Sequence, residues 1–243
     1  MSETNDQLIL VVGESAGGKS TSLMNIRDQE NWAYLNSEAG KRLPFRSKFN
    51  EFRIEDPYQV HEAFDVFTAK PENKGTIVDS VTFLMDMLET QYVINSTNTQ
   101  AAWGGFQQYF KTLMQEKVVR YAKPVIMTAH TFATYNESTM SWERSVPIKG
   151  ALKNNGIEAY FSTIVAAKKV PLKELEGYKS DLLHITEDDE ILGYKHVFQT
   201  RLTKATVGER IRSPMGLFTR DQTYMDNDAQ LLLDHLNAFY GVQ

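Results

Sequence analysis

Eight residues near the amino end, Gly13-Glu14-Ser15-Ala16-Gly17-Gly18-Lys19-Ser20, fit the spacing G-x-x-x-x-G-K-[ST] and run on into Thr21. Glycines at such a bend leave room for successive backbone N–H groups to close around a polyphosphate, and a helix starting there adds partial positive charge. Lys19 is spaced to reach β- and γ-phosphate oxygens and Ser20 to offer its hydroxyl to a magnesium ion. The ligand this implies is ATP or a close relative, with Mg²⁺ as its cation. An ordinary glycine turn is the alternative, and the buried-type strand in front of the loop argues against it. The cation needs a carboxylate as well. Gly75-Thr76-Ile77-Val78-Asp79-Ser80 reads as a strand ending in an acid, where Asp79 can hold a magnesium-bound water; capping the next helix is its other possible task, one that Ser80 or Thr82 serves equally well. Glu38 closes the run that begins at Trp32 and is either the group that polarises the attacking water or a plain surface acid.

The elements that must carry these residues follow from hydrophobic pattern. Leu8 to Val12 is continuously apolar, as in a strand covered on both faces, and Thr21 to Arg27 reads as the helix leaving the loop. Further strands are expected at Trp32 to Asn36, Thr76 to Asp79 and Val125 to Ala129, with helices at Pro57 to Phe67, Phe83 to Tyr92 and Gln107 to Tyr121 between them. That alternation predicts an α/β fold with a mainly parallel central sheet flanked by helices. Ser162 to Lys168 and Val197 to Thr203 read as later, antiparallel strands. Leu172 to Tyr194, with Glu187-Asp188-Asp189-Glu190, reads as a charged insert in a solvated hairpin or loop, and Asp228 to Tyr240 as a core-packing helix. The 243 residues hold no long low-complexity tract, so one domain over 1–243 is expected, with a flexible polar start at 1–7. There is no cysteine, which excludes disulfides and thiolate zinc. A net charge of −5 argues against coating nucleic acid by overall charge, so a nucleic-acid site would be local. With no apolar run of roughly 18 residues the chain is expected to be cytoplasmic and not membrane-bound.

The loop from Gly13 to Thr21, the strand ending in Glu38 and the Val78-Asp79-Ser80 strand end together resemble the RecA-like ATPases, in particular the compact phage recombination proteins of the Sak type. The resemblance spans about Leu8 to Thr206 and implies a RecA-like P-loop core that binds and hydrolyses ATP in DNA recombination or single-strand annealing, in a host cytoplasm, as a ring or filament and with a single-strand-binding protein as a possible partner. It implies that Glu38 is the catalytic base and that His130, ending Pro124 to His130, senses the γ-phosphate. Asn95 to Gln108, with Trp103 and Phe106, and Thr131 to Gly156 correspond in order to that family's DNA loops. In the second, Phe132, Tyr135 and Trp142 interleave with Arg144, Lys149 and Lys153, a composition suited to stacking single-stranded bases and neutralising phosphates, or to folding back on the core. Of Arg201, Lys204, Arg210 and Arg212, the resemblance points to Lys204 as a group reaching a neighbouring subunit's nucleotide, against a solvated basic edge. Two other readings stay open: a nucleotide-controlled accessory module with little hydrolysis, and a small-molecule kinase, for which no arginine-bearing lid is visible.

Overall fold

The computed structural model describes residues 5–138 and 140–241. Its first strand, β1 (Leu8–Gly13), is buried throughout. The reason is visible in how its residues divide. Leu8, Leu10 and Val12 enter a core formed with α1 (Tyr58–Thr68), α2 (Val81–Leu88) and α3 (Thr99–Thr112), whereas Ile9 and Val11 pack on the other face against Leu23, Ile26 and the C-terminal helix Ala229–Tyr240. A strand with apolar layers on both sides has no polar position to alternate with.

The sheet continues through β2 (Trp32–Asn36), β3 (Asn50–Arg53), β4 (Gly75–Asp79), β5 (Val125–His130), β8 (Thr163–Pro171), β9 (Tyr194–Gln199) and β10 (Tyr224–Asp226). These eight strands lie in the order β10-β9-β8-β1-β5-β4-β2-β3. Every pairing from β8 across to β3 is parallel, while β9 pairs antiparallel with both β8 and β10. A separate two-stranded hairpin, β6 (Phe132–Asn136) with β7 (Ser141–Ser145), follows β5 directly. The α/β reading with a mostly parallel sheet and flanking helices therefore holds, and the late antiparallel strand is β9; β8, also read as antiparallel, runs parallel to β1. Among the described residues no helix is long and apolar enough to cross a membrane.

Four segments differ from expectation. Thr21 to Arg27 is no α-helix: a single 3₁₀ turn spans Thr21–Leu23, with Leu23 N–H bonded to Ser20 and Ile26 N–H to Leu23. Leu23 and Ile26, three apart, are the residues buried against the C-terminal helix, while Asn25 and Arg27 bond to its Asp228 and Gln230. Tertiary contacts thus select the tighter turn over a weak helical preference at Thr21 and Ser22. Asn95 to Gln108, expected as a loop, mostly joins α3, capped by the Asn98 side chain and packed through Trp103 and Phe106. The charged insert is partly ordered. Its acidic cluster opens a short helix, Glu187–Leu192, with a capping box between Thr186 and Asp189, and Leu175 and Leu182 are buried. Of the polar start, residues 1–4 lie outside the described residues, and Asn5 and Gln7 bond to Lys123 and Val125. The edge strands β3 and β10 carry no apolar run, which is why pattern alone misses them.

The loop after β1 is pressed onto β8. A Cβ on Gly13 or Gly17 would stand 2.6 or 2.7 Å from the backbone oxygen of Ala167. The Ala167 backbone is fixed within the sheet, so Gly17→Ala should cost about 1–3 kcal/mol. Urea denaturation measures it, and an unchanged midpoint would show that the loop does not depend on this approach.

Candidate active site

Because neighbouring strands run parallel, their carboxyl ends come out together. Register pairs Gly13 with His130 across β1 and β5, and Asn36 with Asp79 across β2 and β4. The loop, Glu38, Asp79 and His130, separated by up to 117 positions in the chain, therefore share one sheet edge.

The loop itself bends sharply: Ala16 has φ of 59° and Gly18 of 104°. Glu14, Ser15 and Ala16 form its exposed tip, and Gly17 N–H bonds to Glu14 O at 3.1 Å. From behind, Asn227 Nδ2 donates to Gly18 O at 2.8 Å, and His196 Nδ1 lies 3.1 Å from Gly17 O. Lys19 is buried and donates to Gly13 O and Glu14 O at 3.0 and 2.9 Å. Burial lowers its pKa to about 8, against the attraction of Asp79 and Glu38. With only one 3₁₀ turn behind the loop, the helix dipole adds little, and anion affinity has to come from loop N–H groups and from Lys19.

Asp79 is nearly inaccessible at 2% exposure, and three hydroxyls donate to it. Ser20 Oγ reaches Oδ2 at 2.9 Å, Tyr34 OH reaches the same oxygen at 2.8 Å, and Thr128 Oγ1 bonds to Oδ1. Burial and the Asp79 charge push the Tyr34 phenol far above its ordinary range, so it stays a donor. Ser20 and Asp79 are hard oxygen groups in direct contact, a pair suited to Mg²⁺, which binds through one or two protein oxygens and keeps much of its water. The Asp79–Ser80 peptide is cis.

Beside this pair runs a second chain of contacts. Lys19 Nζ lies 3.4 Å from His130 Nδ1, and His130 Nε2 lies 3.2 Å from Glu38 Oε1. An ammonium can only donate, so Nδ1 accepts and the ring hydrogen sits on Nε2, directed at Glu38. Glu38 Oε2 takes Lys41 Nζ at 3.0 Å. Donation from His130, and then from Lys41, holds the Glu38 carboxyl down at about 2 against the opposing effect of burial. The cavity enclosed by these groups measures about 210 Å³ and is bordered by loop residues 15–21, Tyr34, Glu38, Lys41, Asp79 and His130. A larger cavity of about 350 Å³ lies on the other flank of the loop. Lys168 pairs there with Glu209 at 2.5 Å and Arg210 with Glu158 at 3.5 Å, whereas Lys19, Ser20 and Asp79 line the smaller one, which makes it the better home for a polyphosphate.

The remaining candidates are spread more widely. Phe132, Tyr135 and Trp142 stand on the hairpin at 67, 45 and 63% exposure, with Tyr135 and Trp142 in edge contact, so they do not fold back on the core. Arg144 is turned the other way, onto Glu14 of the loop tip and toward Glu209. Lys149 pairs with Glu89 at 2.8 Å, and Lys153 is exposed. Arg144 and Lys149 are thus engaged within the chain, which leaves the aromatics and Lys153 as the outward-facing part of that segment. Arg201 and Arg212 donate to backbone oxygens of Phe218 and Phe161, whereas Lys204 is exposed and bonds to none of the described residues. Tyr34, Lys41, Thr128, His196 and Asn227 were not legible as site residues. Only Lys41 carries a local signal, standing three residues after Glu38 beyond Ala39-Gly40; the others depend on which strands become neighbours.

No protein-family model matches the chain, and no curated protein matches it.

The depressed pKa of Glu38 gives a signed expectation. A carboxyl lower in the folded than in the unfolded state contributes stability above about pH 4.5 and loses that contribution as pH falls toward about 2. Glu38→Gln should lack this part of the acid limb in denaturation curves across that range. Identical acid limbs would mean that His130 and Lys41 do not hold the carboxylate.

Proposed function

We propose that the chain is a RecA-like P-loop ATPase that acts on single-stranded DNA in recombination or annealing. One observation carries the nucleotide reading. A glycine-rich loop, a lysine and a serine–aspartate pair 2.9 Å apart meet at the carboxyl edge of a parallel sheet, around a cavity of about 210 Å³ with a glutamate and a histidine on its wall.

In this reading the loop N–H groups and Lys19 take the β- and γ-phosphates. Ser20 and Asp79 would hold Mg²⁺, which when bound neutralises phosphate charge and polarises the γ-phosphorus. Glu38 accepts a hydrogen bond from the attacking water and His130 orients Glu38. The water oxygen bonds to the γ-phosphorus, the bond from that phosphorus to the bridging oxygen breaks, ADP leaves, and the water proton ends on the released phosphate. A carboxyl held as low as Glu38 is weakly basic, so its contribution is orientation more than proton storage. The DNA reading is supported by the exposed Phe132, Tyr135 and Trp142 on a hairpin that starts two residues after His130. Lys204, exposed and unpaired with the described residues, is available to a neighbouring subunit in a ring or filament.

A second reading, a nucleotide-controlled binding module with little turnover, is favoured by the occupation of both Glu38 oxygens. Phosphate release with and without single-stranded DNA separates the two, since stimulation supports the ATPase and tight binding without turnover supports the module. Lys19→Ala should abolish nucleotide binding in a protein that keeps its circular dichroism spectrum. Glu38→Gln should bind normally and hydrolyse on the order of 100-fold more slowly. Full turnover in the glutamine variant would remove Glu38 from the mechanism.

For DNA, Trp142→Ala should weaken binding of a short single strand by roughly 1–3 kcal/mol in fluorescence anisotropy. Unchanged affinity would exclude the hairpin as the stacking surface.

A further inference from the structure

Glu38 stands two residues beyond β2 with both carboxylate oxygens engaged, Oε1 with His130 and Oε2 with Lys41. Each oxygen keeps a lone pair that water can use, but an ammonium on Oε2 competes with water for that oxygen and draws its negative charge away. The two partners differ in what holds them. His130 is fixed from three sides, by Lys19 at Nδ1, by Thr82 Oγ1 on its backbone N–H at 2.9 Å, and by an edge-on contact with the Phe83 ring, 5.6 Å between centroids. The Lys41 side chain is 66% exposed and, among the described residues, pairs only with Glu38, in an ion pair of the kind that contributes little to stability. Lys41 is the partner that leaves easily.

Its backbone, by contrast, is built into place. Ala39 and Gly40 are both left-handed, with φ of 52° and 74°, and turn the chain so that Lys41 N–H bonds back to Glu38 O at 3.0 Å. The fully buried Asn36 ties both ends of that turn, accepting from Glu38 N–H at 3.1 Å and donating to Lys41 O at 3.0 Å. A mobile ammonium on a fixed anchor therefore stands at the rim of the cavity that Lys19, Ser20 and Asp79 line.

Resting on the polyphosphate reading above, we propose that Lys41 is a positioning residue that senses the length of the bound polyphosphate. A nucleoside triphosphate draws Lys41 from Glu38 to a terminal phosphate oxygen and frees Oε2 for the attacking water; with a diphosphate, Lys41 stays on Glu38. The driving difference is charge, since the third phosphate brings extra negative charge to the end of the cavity where Glu38 and Lys41 lie. Glu38 is thereby uncovered only when there is a γ-phosphate to attack.

Calorimetric titration of the full chain with a hydrolysis-resistant ATP analogue and with ADP, each with Mg²⁺, tests this. Lys41→Met should weaken the triphosphate analogue about tenfold while leaving ADP within about twofold, and Lys41→Arg should restore the preference. An unchanged triphosphate-to-diphosphate ratio in Lys41→Met, or equal losses for both ligands, overturns the proposal while leaving the nucleotide site intact. Failure of the wild-type chain to bind either nucleotide overturns that site and the role of Lys41 with it.

Discussion

Asp79 is a carboxylate placed where water hardly reaches, and Ser20, Tyr34 and Thr128 all donate to it. Hydrogen bonds to a charged group are worth about 1.5–3 kcal/mol each, and a buried carboxylate without them would cost several. The three donors come from the glycine loop, from β2 and from β5, so satisfying this one side chain fixes the distance between the loop and two strands on either side of β4. The rest of the site is measured from that point. Lys19 precedes Ser20 and is drawn inward with it; Glu38 lies two residues beyond the end of β2; His130 lies two residues beyond Thr128.

A second network, Lys19 to His130 to Glu38 to Lys41, is built on the first and differs from it in kind. Its groups are charged or chargeable at most links and its outer end is solvent-facing. The inner end is rigid because Lys19 is buried on loop carbonyls. Rigidity thus falls off from Asp79 outward, the gradient expected of a site that must hold a ligand at one end and rearrange at the other.

The hairpin β6–β7 joins this arrangement through Arg144. Its guanidinium bonds to Glu14 at the loop tip and approaches Glu209 at 3.8 Å, while Arg144 N–H pairs with Gly208 O at 2.9 Å. The exposed aromatics on the same hairpin are therefore mechanically linked to the tip of the loop.

What the amino-acid sequence decided by itself is the local chemistry: the loop spacing, the doubly buried strand before it, and acids at strand ends. Those rest on covalent neighbours, on where a Cβ is tolerated and on unbroken apolar runs, all of which are properties of contiguous residues. The helices α1 and Ala229–Tyr240 were legible for the same reason, their apolar spacing being self-contained. Tertiary structure decided the rest. The helix expected after the loop shrank to one 3₁₀ turn because Leu23, Asn25, Ile26 and Arg27 all answer to the C-terminal helix. A polar stretch around Trp103 became helix because that ring and Phe106 found a core to cover. Likewise the partners of Asp79, the clamp on Glu38 and the inward turn of Arg144 follow from strand order and register. Such meetings join residues as far apart as Glu14 and Arg144, at 130 positions, and Gly18 and Asn227, at 209, and no local pattern encodes them.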